Sequence, residues 1–223
     1  MLPETATRGG LVEIRTFQED DRAELRKLFA RAGEGSPVES LWGHPESEAD
    51  IYLTPYIDLY PDSLFLAVSE GRLVGYLTGC PDTSSFPSED ELLVRAVRKH
   101  RLLLRRKSVA FIARSMTDLA GAAVRRRPTA KGFDDPRWPA HLHLTVAPEA
   151  RGTGAADGLM NGWRDRLRAV GSPGCHLQTL RENTRAVRFF RRMGFAEHGP
   201  AVFVLGIRNG GEKLHQQTMV WAP

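Results

Sequence analysis

His141-Leu142-His143-Leu144-Thr145-Val146-Ala147-Pro148-Glu149-Ala150-Arg151-Gly152-Thr153-Gly154-Ala155-Ala156 is the stretch on which the reading of this sequence turns. His141 to Val146 alternates with period two, as a strand does, and Leu159, Trp163, Leu167 and Val170 then recur at helical spacing. Between them Pro148 to Gly154 forms a Gly-rich loop, so strand, loop and helix follow one another directly. The first turn of a helix carries unpaired N–H groups and a partial positive charge, which suits a phosphate. Gly152, Gly154, Ala155 and Ala156 let an anion approach the backbone, and Arg151 adds a full charge. A tight turn whose glycines only satisfy backbone geometry explains the same spacing, so the glycines alone do not decide the matter.

Working outward, the remaining segments predict interleaved strands and helices. Leu11, Ile14 and Phe17 begin a strand, and Leu25, Leu28, Phe29 and Ala32 lie at helical spacing behind Glu19 and Asp20, with Gly33 as the stop. Glu46 to Tyr60 reads as a helix kinked or broken at Pro55. Leu64 to Val68 and Leu73 to Thr78, joined by Ser69-Glu70-Gly71-Arg72, read as a hairpin. Phe86 to Arg137 departs from the pattern: one helical segment, then a polar, Arg-dense stretch ending in prolines, taken as an insertion. Cys175 to Leu180 is a short strand, Asn183 an N-cap for a helix through Arg192, and Val202 to Ile207 and Gln216 to Trp221 two last strands. The expectation is a mixed α/β chain, a single layered domain over residues 1–223 with a basic helical insertion at about 86–137.

The 223 residues, 41% of them hydrophobic, are enough to bury a sizeable core and exclude a disordered or fibrous chain. Cys80 and Cys175 stand far apart, outside any CxxC or Cys/His cluster, and Met1 to Gly10 holds no apolar run; neither a disulfide framework nor a bound metal is expected. No apolar stretch has the length of a membrane span, so a cytoplasmic protein without membrane contact is expected.

Neither GxxxxGK[ST] nor GxGxxG with a following acidic residue describes the loop. Its R-x-x-G-x-A spacing, behind Val146 and Pro148, resembles the acyl-CoA pyrophosphate loop of the GNAT N-acetyltransferase family. Asn183, Ala186 and Gly194-Phe195 are similar to a second signature of that family, N-x-x-A-x-x-x-Y-x-x-x-G-F. Tyr52 to Thr83, with Tyr56-Ile57-Asp58-Leu59-Tyr60-Pro61-Asp62 and Gly75-Tyr76-Leu77-Thr78-Gly79, further resembles the acetyltransferase-like C-terminal domain of O-GlcNAcase and its free-standing bacterial relatives.

The resemblance implies a largely antiparallel GNAT-like sheet flanked by helices, with acetyl-CoA as cosubstrate and a primary amine as acceptor. It implies that the strand ending at Val146 splays from the one starting near Cys175, with pantetheine between them. Leu144 and Val146 backbone groups would hold the pantetheine arm, the Leu144 N–H serving as oxyanion donor. Amides of Thr153, Gly154, Ala155 and Ala156, with Arg151 and Gly152, would take the pyrophosphate, and the Asn183 side chain would reach the CoA arm. Phe190 stands where the family usually has a tyrosine that protonates the leaving thiolate, which keeps open a catalytically weak acetyl-CoA-binding interaction module.

An amine with a pKa near ~10.4 is mostly protonated at neutral pH, so transfer needs a route for a proton. His141 and His143, two apart on one strand, face the same side and have an ordinary pKa near ~6.5 that suits a base or a shuttle. A packed pair with satisfied hydrogen bonds is the plainer account. Their run also resembles the His pair of serotonin N-acetyltransferases, with a one-residue difference in the distance to the loop arginine. Asp58, Tyr60 and Asp62 are second candidates, for shaping the acceptor site.

Charge is unevenly spread. Arg95 to Arg127 holds eleven Lys and Arg against Asp118 alone, about +10, so the overall +4 leaves about −6 for the rest. Such a run is most simply a solvated face. Without a nucleic-acid motif or interleaved aromatics, nucleic-acid binding is not expected, and a homodimer is left open.

Overall fold

The computed structural model describes residues 12–31 and 41–223. Strand β1 (Glu13–Thr16) leads through a 3-10 turn at Glu19–Asp21 into helix α1 (Arg22–Arg31). Arg15 grips the Asp21 carboxylate with two bonds of 2.6 and 2.7 Å, fixing the entry to α1. The expected strand start at Leu11 and helix end at Ala32 and Gly33 lie outside the described residues. Helices α2 (Pro45–Tyr52) and α3 (Thr54–Leu59) meet at Leu53. The break comes two residues before Pro55, whose ring is tolerated in the first turn of α3 but not inside a helix.

Strands β2 (Leu64–Ser69) and β3 (Arg72–Cys80) form the expected hairpin. Glu70 and Gly71 both take positive φ, 51° and 73°, the geometry whose twist matches the flanking strands. After β3 come α4 (Glu89–Lys99), α5 (Arg106–Val124), β4 (Ala140–Val146), α6 (Ala155–Ala169), β5 (Cys175–Leu180), α7 (Thr184–Arg192), β6 (Ala196–Asn209) and β7 (Glu212–Trp221).

The sheet order is β1-β2-β3-β4-β5-β7-β6, antiparallel throughout except for β4 and β5. β3 and β4 are antiparallel neighbours with Cys80 opposite His141, a pair that a tight turn can join. Residues 81–139 intervene instead, leaving the sheet through α4 and α5 before returning. The excursion is helical on both sides of Arg105: the 19-residue α5 follows α4 and carries Arg106, Lys107 and Arg114 of the basic run. Its fully buried residues are Ser108, Asp118 and Ala122, with Phe111 packed against Trp42, a face too polar to read as a plain apolar stripe. Asp118 joins it to β6 and β7: the carboxylate accepts from the Gly206 N–H at 2.9 Å and pairs with Arg208 at 2.6 Å and Lys213 at 3.2 Å. All eleven cations of the run are exposed, as a solvated face requires.

Leu77, Leu142, Leu159, Met160, Trp163 and Leu177 fill the space between one sheet face and α6. Leu25, Leu28, Leu53, Ile57, Leu66 and Tyr76 fill the other, under α1 to α3. Val170, expected on the buried stripe of α6, is its C-cap and lies 42% exposed, because the helix ends one residue earlier.

Candidate functional site

β4 and β5 pair only at Ala140 with Cys175 and His141 with His176, and beyond these two rungs they part. Residues along a strand aim their backbone groups alternately at the two neighbours. The Ala147 N–H reaches Val74 on β3, whereas the Ala140 N–H reaches Gly174 at the start of β5. By that alternation Leu144 and Val146 present their backbone groups to the gap, with no strand opposite among the described residues. A partly buried backbone edge of this kind calls for a ligand or water.

At the wide end of the gap lies the loop. Gly152 and Gly154 take φ of 81° and 87°, where a side chain is strained, and a Cβ at either would meet nothing within 4 Å. The cradle is therefore open. Gly154 caps α6 without a side-chain hydrogen bond, so the first-turn amides of Ala155 and Ala156 face outward unpaired by any cap. The Thr153 N–H makes a long 3.4 Å bond to Ala150. Burial and then Arg185, at the start of α7, push the Arg151 guanidinium below its ordinary pKa. Two cations held near each other suit an anion between them. Asn183 caps α7, its Oδ1 accepting from the Ala186 N–H at 3.3 Å.

His141 and His143 do face one side of β4, and Tyr56 of α3 joins them. Its hydroxyl lies 2.8 Å from His141 Nε2 and 2.9 Å from His143 Nε2. Proton positions follow from the chain of bonds. Thr83 Oγ1 gives its one hydrogen to the Pro139 carbonyl at 2.6 Å, so it accepts from His141 Nδ1–H at 2.7 Å. His141 Nε2 then accepts from Tyr56, and Tyr56 accepts from His143 Nε2–H. The Nδ1 lone pair of His143 is the open end of this chain among the described residues.

Burial changes the chemistry of the pair. The expected pKa near ~6.5 does not hold. Desolvation, helped by His176, lowers His143 to about 4, and desolvation with His143 and His176 puts His141 well below its ordinary value. Both imidazoles are neutral at pH 7. Burial pushes the Tyr56 phenol well above 10.0, so it keeps the proton it donates.

Aromatic rings complete this side. Phe86 packs 4.5 Å from Tyr56 and 5.2 Å from His141, and Tyr60 stacks on Phe86 at 6.1 Å. Tyr52 lies 6.1 Å edge-on to His143 and gives its hydroxyl to Glu89 on α4 at 2.5 Å. Thr78, directly opposite His143 on β3, buries an Oγ1 without a partner among the described residues. Of Asp58, Tyr60 and Asp62, only Tyr60 reaches the cluster: Asp58 pairs with Arg22 at 2.9 Å, and Asp62 is exposed on a 3-10 turn. Tyr52, Tyr56, Thr83 and Phe86 were not singled out as partners of the histidines, since only the fold lays α2, α3 and the connection after β3 on the face of β4 that carries them. Phe190 is buried against Phe189 and Phe195 and offers no proton.

A largely antiparallel seven-strand sheet with one splayed parallel pair and an anion cradle behind it is the mixed α/β fold of the GNAT acetyltransferases. The chain belongs to the acetyltransferase (GNAT) family, whose model matches residues 22–195. Solved structures agree on the fold. The chain is similar to a ribosomal-protein-alanine N-acetyltransferase from Brucella melitensis (TM-score 0.57, 17% identity, covering 95% of this chain and 99% of that one). It is similar to yncA from Salmonella typhimurium, solved with its cofactor acetyl-CoA (TM-score 0.57, 13% identity, 95% and 93% covered). A Drosophila melanogaster polyamine N-acetyltransferase that catalyses formation of N-acetylagmatine is similar too (TM-score 0.59, 18% identity, 96% and 100% covered).

Proposed function

We propose that the protein is an acetyl-CoA-dependent N-acetyltransferase that moves acetyl to a primary amine by direct attack. The observation that carries this reading is the parting of β4 from β5 beyond His141 and His176, on the strand that holds His143 and runs on into the Gly152–Ala156 loop. Acetyl-CoA would supply an activated carbonyl and a thiolate leaving group. Arg151, Gly152 and the amides from Thr153 to Ala156 bind the pyrophosphate, and the Leu144 and Val146 backbone holds the pantetheine arm. The Leu144 N–H stabilises the oxygen that gains charge. Asn183 shapes this wall through the cap of α7; its Oδ1 is already engaged, which leaves its amide nitrogen to face the CoA arm.

A base with a pKa of about 4 is too weak to strip a free ammonium ion. The amine therefore enters neutral, and its nitrogen acidifies as the lone pair goes into the new C–N bond. His143 Nδ1 takes that proton while Nε2–H passes to Tyr56 and Tyr56 O–H to His141, which Thr83 braces. The histidines act as a relay rather than a resting base. Tyr52, Tyr60, Phe86 and the Glu89 carboxylate form a wall that favours an acceptor bearing an aromatic ring or a second, cationic nitrogen over an anionic one. Tyr52 and Tyr60 of that wall lie in the stretch Tyr52 to Thr83 that resembles the O-GlcNAcase C-terminal domain.

Calorimetric titration with acetyl-CoA should show binding that Gly154→Asp weakens at least ~100-fold, through a strained backbone and a carboxylate at the anion site. Equal binding by the variant would sink the loop assignment. Phe190 favours a second reading, a binding module with weak catalysis. That reading requires tight acetyl-CoA binding with no amine-dependent thiol release across polyamines, arylalkylamines, amino sugars, aminoglycosides and Lys peptides.

A further inference from the structure

We propose that His44, Glu46 and His100 bind a zinc ion that clasps the α4 end of the inserted segment to α2. His44 is the N-cap of α2, Glu46 lies in its first turn and His100 is the C-cap of α4. One ligand atom from each lies within 4.8 Å of the other two, and the His44 and His100 rings stand 4.9 Å apart. Zinc bonds of about 2.0–2.2 Å place tetrahedral ligand atoms about 3.3–3.6 Å apart, so the site closes by at most about 1.5 Å. Glu46 is exposed and can supply that movement.

The chemistry around the histidines fits an ion. His100 Nε2 lies 2.8 Å from Asp50, a partly buried carboxylate, which fixes Nε2–H and leaves the Nδ1 lone pair for an ion. A carboxylate behind a ligating imidazole is the arrangement that orients metal-bound histidine. The Ser47 N–H divides between the His44 carbonyl at 3.1 Å and His44 Nδ1 at 3.2 Å, so the ring can turn to an ion while the amide keeps its backbone acceptor. Burial, then Arg105, lowers the His44 pKa below its ordinary value. Two imidazoles and one carboxylate select zinc-like transition ions over magnesium or calcium, and the open side by Glu46 leaves a fourth position for water. Lys99 and Arg105 nearby oppose a divalent charge; Glu46, Glu48 and Asp50 offset them.

The clasp has a structural consequence independent of the acetyl-transfer reading. Both ends of α4 are tied to α2: Tyr52 holds Glu89 at its start, and the Asp50 and His44 side holds His100 at its finish. An ion at the second point fixes the helix that carries Glu89.

The test uses the full, untagged chain stripped with chelator, titrated calorimetrically with zinc chloride and followed with cobalt(II) absorption. One equivalent of zinc should bind, with tetrahedral cobalt bands. At zinc about 100 times its Kd, Tm should rise by about 5–10 °C. His100→Ala and the exposed-site variant Glu46→Gln should each weaken zinc at least ~30-fold, and Asp50→Asn about 10-fold or more. Glu46→Gln removes no buried contact, so it remains informative if His100→Ala does not fold. No zinc or cobalt binding by the stripped chain, or binding that Glu46→Gln leaves unchanged, overturns the proposal.

Discussion

The Tyr56 hydroxyl lies 2.8 Å from Nε2 of His141, a residue 85 positions further along the chain. The same oxygen lies 2.9 Å from His143 Nε2, so one phenol joins two imidazoles that β4 alone would leave separate. Neither ring bonds the other. Their cooperation passes through α3.

Tyr56→Phe keeps the ring packing and removes that link. The turnover number should fall ~100-fold with little change in KM for acetyl-CoA, the scale of a lost proton-transfer group. Two buried imidazole nitrogens lose their partner, which costs about 1–3 kcal/mol of stability. Steady-state thiol release beside thermal denaturation separates the two effects, and an unchanged turnover number would sink the relay.

The histidines make stability depend on pH in a defined window. In the unfolded chain they titrate near ~6.5, whereas folded His143 takes its proton only at about 4 and His141 well below its ordinary value. Between those limits the unfolded state binds more protons, so stability is full above about pH 6.5 and drains away as pH falls toward 4. Urea midpoints at successive pH values should show this fall. His143→Gln should flatten it, and a midpoint in the wild type that is level from pH 7 to 4.5 would contradict the buried neutral pair.

Gly79 marks where the sheet touches α6. A Cβ built there stands 2.3 Å from the Trp163 ring, which is wholly buried. Gly79→Ala should therefore destabilise by about 1–3 kcal/mol, with the ring forced off its packing. Differential scanning calorimetry checks it; a neutral result would mean that Trp163 moves freely.

Asp118 is the buried anchor of α5, pushed down to about 2 by its bonds to Arg208, the Gly206 amide and Lys213 against the cost of burial. Asp118→Ala strands the Arg208 charge and should cost about 3 kcal/mol. Hydrogen exchange should speed in α5 while α6 stays protected. Because its folded pKa lies below that of a free carboxyl, its contribution persists until pH falls below about 4 and is lost toward 2.

By itself the sequence determined the elements whose signals are local. Period two from His141 to Val146, helical period behind it, and glycines at 152 and 154 made the strand, loop and helix legible, because a residue's neighbours set its backbone geometry. The β2–β3 hairpin and the break before Pro55 were legible for the same reason. The insertion read as helical, but the extent and docking of α5 did not: its buried residues are Ser108, Asp118 and Ala122, and only the partners on β6 and β7 make a buried aspartate tolerable. Tertiary structure alone decided what the histidines are. The spacing placed His141 and His143 on one face, but α3 and Phe86 remove their water, and that burial, not the imidazole itself, turns two bases into a neutral relay. Burial and hydrogen-bond partners come from residues dozens of positions away, and no local pattern encodes them.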